Sequence, residues 1–260
     1  MKTLTSPHNP LLKSIARLLD KASERRQRGL LALEGLHLLD AWLNSARIVR
    51  TVLVNSDAMA HSEVQRLLAR LEPDTECWMV PPALLSKLSH LTTPPELIAV
   101  VVQPTLNVES SVDSCLLLES IQDPGNLGTI LRSAAAAGVM RVYMSRDCVD
   151  VYSPKVLRAG MGTHCGLELC VDTDLCAVLA VYPGLRVVTH LSGAHSLYEM
   201  DLRGPCAFVF GNEGAGVSDA LLALAHNRVR IPMPGQAESL NVACAVTVCL
   251  FERVRQLGLF

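Results

Sequence analysis

After residue 114 the chain repeats one pattern: a short unbroken apolar run, then a segment of helical periodicity. The apolar runs are Cys115–Leu118, Val139–Met144, Gly166–Cys170, Arg186–Thr189, Ala207–Phe210 and Arg228–Ile231. Helical patterns fall at Asn126–Ala137, Ser153–Gly160, Leu175–Val181, Ser218–Ala225 and Ser239–Gln256. Continuous hydrophobicity means that both faces of each strand are covered, and the helices supply crossovers. The pattern therefore predicts an α/β fold built on a parallel sheet. In such a sheet, ligands bind in the loops at the carboxyl ends of the strands.

The first hundred residues carry a looser alternation. Leu11, Leu12, Ile15, Leu18 and Leu19 fall at helical spacing, and a second helical stretch begins near Glu34 and ends at Asn44. Arg47–Val54, Cys77–Val80 and Leu97–Val102 read as strands, Ser62–Leu71 and Pro82–Leu91 as helices. This is a smaller α/β domain. The polar, proline-containing stretch 104–114 separates it from the rest. The expected organisation is a first domain over 1–103, a linker over 104–114 and a second domain over 115–260.

Composition excludes several classes. Half of the 260 residues are hydrophobic and the net charge is only -2, which excludes a disordered chain. The longest apolar stretches, Leu97–Val102 and Val242–Phe251, are far shorter than the roughly 20 residues of a membrane-spanning helix. Met1–Pro10 is no apolar signal region, so a cytoplasmic protein is expected. None of the nine cysteines are spaced C-x-x-C. Cys165, Cys170 and Cys176 lie near His164 and have the donor types of a metal site. The favoured reading is nevertheless small packing residues in a reducing compartment, with no metal. Cys244 and Cys249, in an apolar helical run, are likewise read as packing. Slight acidity and 4% aromatic content count against nucleic-acid binding by base stacking, but a total does not say where the charges sit.

Three loops stand out. The first is Glu119–Arg132, ESIQDPGNLGTILR, where Asp123-Pro124-Gly125-Asn126 is a turn sequence and Asn126 a good helix N-cap. Arg132 follows less than two turns later. The second is Phe208–Ser218, FVFGNEGAGVS, with three glycines in six residues directly after a strand. Glycine lets the backbone approach a ligand closely. The loop lacks the spacing of a phosphate-binding loop, and Glu213 would repel phosphate. The third is Ile231–Asn241, IPMPGQAESLN, where Ser239 is a plausible N-cap for the long helix that follows. Each loop also has a plain structural reading, as a capped helix or a glycine turn.

Taken together, DPGNLGTILRSAAAAG (123–138), FVFGNEGAGVS (208–218) and IPMPGQAESLNVACAV (231–246) resemble the three signature motifs of the SpoU (TrmH-type) RNA ribose 2′-O-methyltransferases, within the SPOUT class. The resemblance covers the whole second domain. More loosely, Ser6–Pro10, Arg25–Arg28 and Leu33–Gly35 resemble the family's N-terminal substrate-binding domain, a ribosomal-protein-like module. The resemblance implies a parallel sheet with a deep trefoil knot, a homodimer through the C-terminal domain, and S-adenosylmethionine as cofactor. It implies that Thr189, Gly211, Asn212, Gly216, Ile231, Met233, Ser239 and Leu240 line the cofactor pocket. It carries over Asn126, Arg132, Glu213, Ser239 and Asn241 as the catalytic set. A free arginine is a poor general base, so Arg132 is better read as stabilising the developing alkoxide and clamping an adjacent phosphate.

RNA would also need a docking face. Lys13, Arg17, Lys21 and Arg25 recur every four residues, with Arg28 three further on. If Leu11–Arg28 is one helix, they form a basic stripe suited to phosphates. Lys155 and Arg158 form a second candidate RNA contact. Ribosomal RNA is the favoured substrate. The alternatives are tRNA ribose methylation, base-nitrogen methylation within the same class, and a non-catalytic RNA-binding assembly factor.

Overall fold

The structure is a computed structural model describing residues 1–104, 113–190 and 195–259. Most of the expected linker lies outside the described residues. The chain divides into two compact units, Met1–Thr105 with Tyr152–Cys165, and Leu106–Val151 with Gly166–Phe260.

The first unit contains β1 (Lys2–Thr3), α1 (Pro10–Asp20), α2 (Ala22–Arg28), β2 (Leu30–Glu34), α3 (Leu36–Asn44), β3 (Val49–Asn55), α4 (Ser62–Leu68), β4 (Glu76–Val80), α5 (Pro82–Leu88) and β5 (Leu97–Val102). The strands form one mixed sheet in the order β1-β4-β3-β5-β2, with β5 antiparallel to both its neighbours. Asn9 starts α1 by accepting from the Leu11 N–H, and Pro10 occupies the first helical position, where its missing N–H costs nothing. Leu12, Ile15, Leu18 and Leu19 are the buried face of α1. They pack with Leu53, Leu85 and Ile98 in one core. Strand β2, Leu-Leu-Ala-Leu-Glu, has no β-branched residue and is not anticipated by pattern; pairing along its own whole length with β5 makes it a strand.

The second unit contains β6 (Cys115–Leu118), α6 (Pro124–Ala136) and β7 (Arg141–Met144). The chain then gives α7 (Pro154–Gly160) to the first unit. It returns with β8 (Glu168–Cys170), α8 (Leu175–Val181), β9 (Leu185–Thr189), β10 (His195–Ser196), β11 (Cys206–Phe210), α9 (Asp219–Leu224), β12 (Asn227–Arg230) and α10 (Val242–Leu257). The seven strands run in the order β10-β12-β9-β11-β6-β7-β8, and every pair is parallel. The predicted parallel sheet is present, and its central strands β6 and β11 are wholly buried. Helix α10 packs on α6, where the Ser133 and Thr247 hydroxyls share a 2.6 Å hydrogen bond.

Segment 152–165 departs from the boundary expected at 115, because it packs as part of the first unit. Arg158 on α7 pairs with Glu34 at the end of β2, whose side chain is 1% exposed. The Ser89 hydroxyl donates to the same carboxylate at 2.5 Å. Gly162 has φ +84, and a Cβ there would lie 2.3 Å from Ala41 Cβ, so only glycine lets the segment pass α3 this closely.

Cys115, Cys165 and Cys249 are buried, and burial pushes their thiols up to about 12, 11 and 12 respectively. Cys244, read as a packing residue, is instead exposed on α10. Among the described residues no three His, Cys, Asp or Glu side chains gather as metal ligands, and no helix is long and apolar enough to cross a membrane.

Candidate active site

The carboxyl ends of three neighbouring strands, β9, β11 and β12, open onto one cavity of about 1000 Å³. All eight residues expected to hold the cofactor line it: Thr189, Gly211, Asn212, Gly216, Ile231, Met233, Ser239 and Leu240. Glu213, Glu238 and Asn241 line it too.

The loop after β11 is a tight hairpin. Asn212 and Gly216 exchange backbone hydrogen bonds at 3.1 and 2.9 Å. A Cβ on Gly211 would meet the Gly216 carbonyl oxygen at 2.1 Å, so the hairpin closes only with glycine at 211, and φ +72 favours glycine at 216. The Asn212 side-chain oxygen Oδ1 accepts from the Gly214 and Ala215 N–H groups, and its side-chain Nδ2 donates to the Ser120 carbonyl at 2.9 Å. Asn212 therefore lines the cavity, but its side chain builds the hairpin. The turn presents Glu213 at its tip.

The loop after β12 behaves differently. Among the described residues, the backbone groups of 232–240 make no hydrogen bond within the protein. Backbone donors and acceptors need partners, so these are left to solvent or to a bound molecule. Leu240 is 40% exposed at the cavity wall, an apolar surface beside those free polar groups. Glu213 and Glu238 line the cavity together with Arg230 and the apolar Leu240, a mixed lining suited to a ligand with both charged and apolar parts.

Side-chain bonds join the three loops. Asn126 Nδ2 donates to a Glu213 carboxylate oxygen at 2.7 Å, and Asn241 Nδ2 donates to the Asn126 side-chain Oδ1 at 2.9 Å. The Asn126 amide is thus bonded at both ends, each time to a different loop. Asn241 in turn accepts from Ala243 and Cys244 N–H groups and so caps α10.

Two expected caps move by a few residues. The cap of α6 is Asp123, which accepts from the Asn126 N–H at 2.7 Å, and the cap of α10 is Asn241 rather than Ser239. In each case the shift releases the expected capping side chain, Asn126 or Ser239, toward the site. Arg132 stands exposed on α6 outside the cavity lining, and among the described residues it has no hydrogen-bond or ion-pair partner.

The expected basic stripe does not form as one face. Lys21 is extended (φ -119, ψ 116) and breaks the helix into α1 and α2. Arg25 is 4% exposed and donates to the Leu18 and Leu19 carbonyls at 2.5 and 3.0 Å, closing the end of α1. Arg158 is taken by Glu34. Arg25 is thus enclosed by the fold, whereas the Arg158 side chain stays 27% exposed beside Glu34. Lys13, Arg17, Lys21, Arg28 and Lys155 are exposed, although Arg28 donates to Ser14 and Arg17 lies 4.0 Å from Glu24.

An all-parallel sheet with a cavity beyond its strand ends and a polar chain bridging three loops places the chain among α/β proteins that bind a small ligand at that edge. A family model described as the SpoU rRNA Methylase family matches residues 113–251, and an MRM3-like substrate binding domain matches residues 9–99. The chain belongs to the SpoU rRNA methylase family. It is 36% identical to an uncharacterized tRNA/rRNA methyltransferase of Synechocystis, covering 98% of this chain and 94% of that protein. It is 32% identical to the 23S rRNA (guanosine(2553)-2′-O)-methyltransferase RlmP of Bacillus subtilis, covering 96% of this chain and 98% of the relative. The crystal structure of the SpoU methyltransferase AviRb from Streptomyces viridochromogenes, in complex with its cofactor AdoMet, superposes with a TM-score of 0.86 at 29% identity, covering 96% and 98% of the two chains.

Proposed function

We propose that this protein transfers the methyl group of S-adenosylmethionine to a ribose 2′-hydroxyl of ribosomal RNA. The observation that carries the reading is the Glu213–Asn126–Asn241 chain of hydrogen bonds at the cavity rim, joining all three motif loops. When bound, S-adenosylmethionine supplies a methyl group on a sulfonium that is already a good leaving group. The protein has to orient and desolvate. The free backbone groups of 232–240 and the apolar face of Leu240 would hold the adenine, and the Glu213 and Glu238 carboxylates suit the cationic end. Arg132 stabilises negative charge developing on the ribose oxygen and holds a neighbouring phosphate. Asn126 keeps Glu213 and Asn241 in one fixed arrangement.

Several finer features belong to the same reading. Relatives of this length are named 23S rRNA methyltransferases, which favours ribosomal RNA over tRNA. The order β9-β11-β6, with α10 against α6, is compatible with a chain threaded as a deep trefoil knot. Cys244, Val248 and Phe251 lie at i, i+4 and i+7 on α10, with Cys244 and Phe251 exposed, and this stripe supports a homodimer. The first unit would present RNA through Lys13, Arg17, Lys21, Arg28 and Lys155. Nine free cysteines suit a cytoplasmic protein.

The test uses labelled S-adenosylmethionine with undermethylated ribosomal RNA and with tRNA, followed by alkaline hydrolysis. A ribose 2′-O-methyl blocks cleavage at its nucleotide, so label should appear in alkali-resistant dinucleotides from ribosomal RNA. Label released in mononucleotides indicates base methylation and overturns the ribose assignment; label on tRNA alone overturns the substrate; no label at all leaves an RNA-binding factor.

A further inference from the structure

The hairpin that carries Glu213 is fastened at both ends to the two residues that follow β6. At one end Asn212 donates to the Ser120 carbonyl at 2.9 Å; at the other the Ser218 N–H donates to a Glu119 carboxylate oxygen at 2.7 Å. Ser218 is the cap residue of α9, yet its own side chain makes no capping bond. The carboxylate arriving from 99 residues away therefore holds that corner. The mooring point is itself held. Ser120 has φ +54, an uncommon conformation for a residue other than glycine, and its N–H donates to the Ser145 hydroxyl at 2.9 Å.

We propose that Glu119 is a positioning residue for methyl transfer: through Ser218 it pins the far end of the hairpin and so keeps Glu213 within reach of Asn126. The proposal rests on the methyltransferase reading above. Glu119 is absent from the cavity lining, so it acts only through the loop. With one mooring released, the hairpin keeps its internal bonds through Asn212 but can pivot about Ser120. Misplacement of about 1 Å at a reacting centre can cost roughly a hundredfold in rate, and a partial loosening should cost less.

The experiment compares Glu119→Ala, Glu119→Gln and Ser218→Pro in the full-length protein. Ser218 has φ -62 and ψ 152, which proline can adopt, so that substitution removes the donor N–H and displaces the Glu119 carboxylate. Kinetics on RNA are measured alongside hydrogen exchange of the amides in 212–217. Glu119→Ala should lower kcat roughly tenfold with KM for RNA within about twofold of wild type, and should speed exchange in the hairpin. Glu119→Gln, whose amide oxygen still accepts, should restore most of both. Glu119→Ala should add nothing further in the Ser218→Pro background. Wild-type kcat and exchange in Glu119→Ala overturn the proposal, as does a glutamine variant no better than alanine, or losses that multiply in the double variant. If the wild-type protein transfers no methyl group, the methyltransferase reading fails, and the exchange comparison alone then judges the mooring. If the alanine variant does not fold, Glu119→Gln and Ser218→Pro carry the test.

Discussion

Asn126, Glu213 and Asn241 come from segments up to 115 residues apart in the second unit, and they bond to one another. Arg25, Arg28 and Arg158 look equally purposeful in sequence, but they turn to partners within the first unit: helix-end carbonyls, a serine and a buried glutamate. The difference lies in what each pattern demands. A glycine hairpin and a turn after a parallel strand leave the backbone few alternatives, so the side chains they carry arrive where expected. A basic residue every fourth position demands only that a helix continue, and one extended residue, Lys21, is enough to cancel it.

The sharpest way to break that contrast is Arg132→Ala. It should lose methyl transfer by about a hundredfold or more while S-adenosylmethionine binding, followed by calorimetry, stays at the wild-type level. Full turnover would remove Arg132 from the reaction. Asn126→Asp comes next. It replaces an amide that donates to Glu213 with a carboxylate, setting two negative charges against each other; kcat should fall roughly ten- to a hundredfold at neutral pH.

In the first unit the effects should appear in stability rather than in rate. Arg158→Ala leaves the Glu34 carboxylate buried without its cation and should cost about 3 kcal/mol in urea unfolding, with RNA affinity unchanged. Arg25→Ala removes two helix-end hydrogen bonds and should cost about 1–3 kcal/mol, again sparing RNA affinity. Lys21→Glu reverses the pattern: stability should stay within about 0.5 kcal/mol, while RNA binding weakens and loses part of its salt dependence. An Arg25 variant that weakens RNA binding without destabilising the fold would return that residue to the RNA face.

The second unit was largely readable in advance because its strands are short apolar runs, and Cys115–Leu118 and Leu175–Val181 fall on the expected residues. Strand β2 was not readable, since Leu30–Glu34 has helix-forming composition and becomes a strand only by pairing with β5. The caps of α6 and α10 were displaced because Asp123 competes with Asn126, and Asn241 with Ser239, at positions two or three residues apart. The Glu119–Ser218 bond spans 99 residues, and no local spacing announces it. The attachment of 152–165 to the first unit was hidden for the same reason, because Glu34 and Arg158 are 124 residues apart.

The bond between Asn126 and Asn241 also sets a timetable. The amide of Asn126 leaves the ribosome 115 residues before its partner does, roughly 6–23 seconds of synthesis at about 5–20 residues per second. For that interval the nascent chain has its first motif but not the third loop or the last helix, and the polar chain is open. The site therefore cannot close until Asn241 and the start of α10 have emerged.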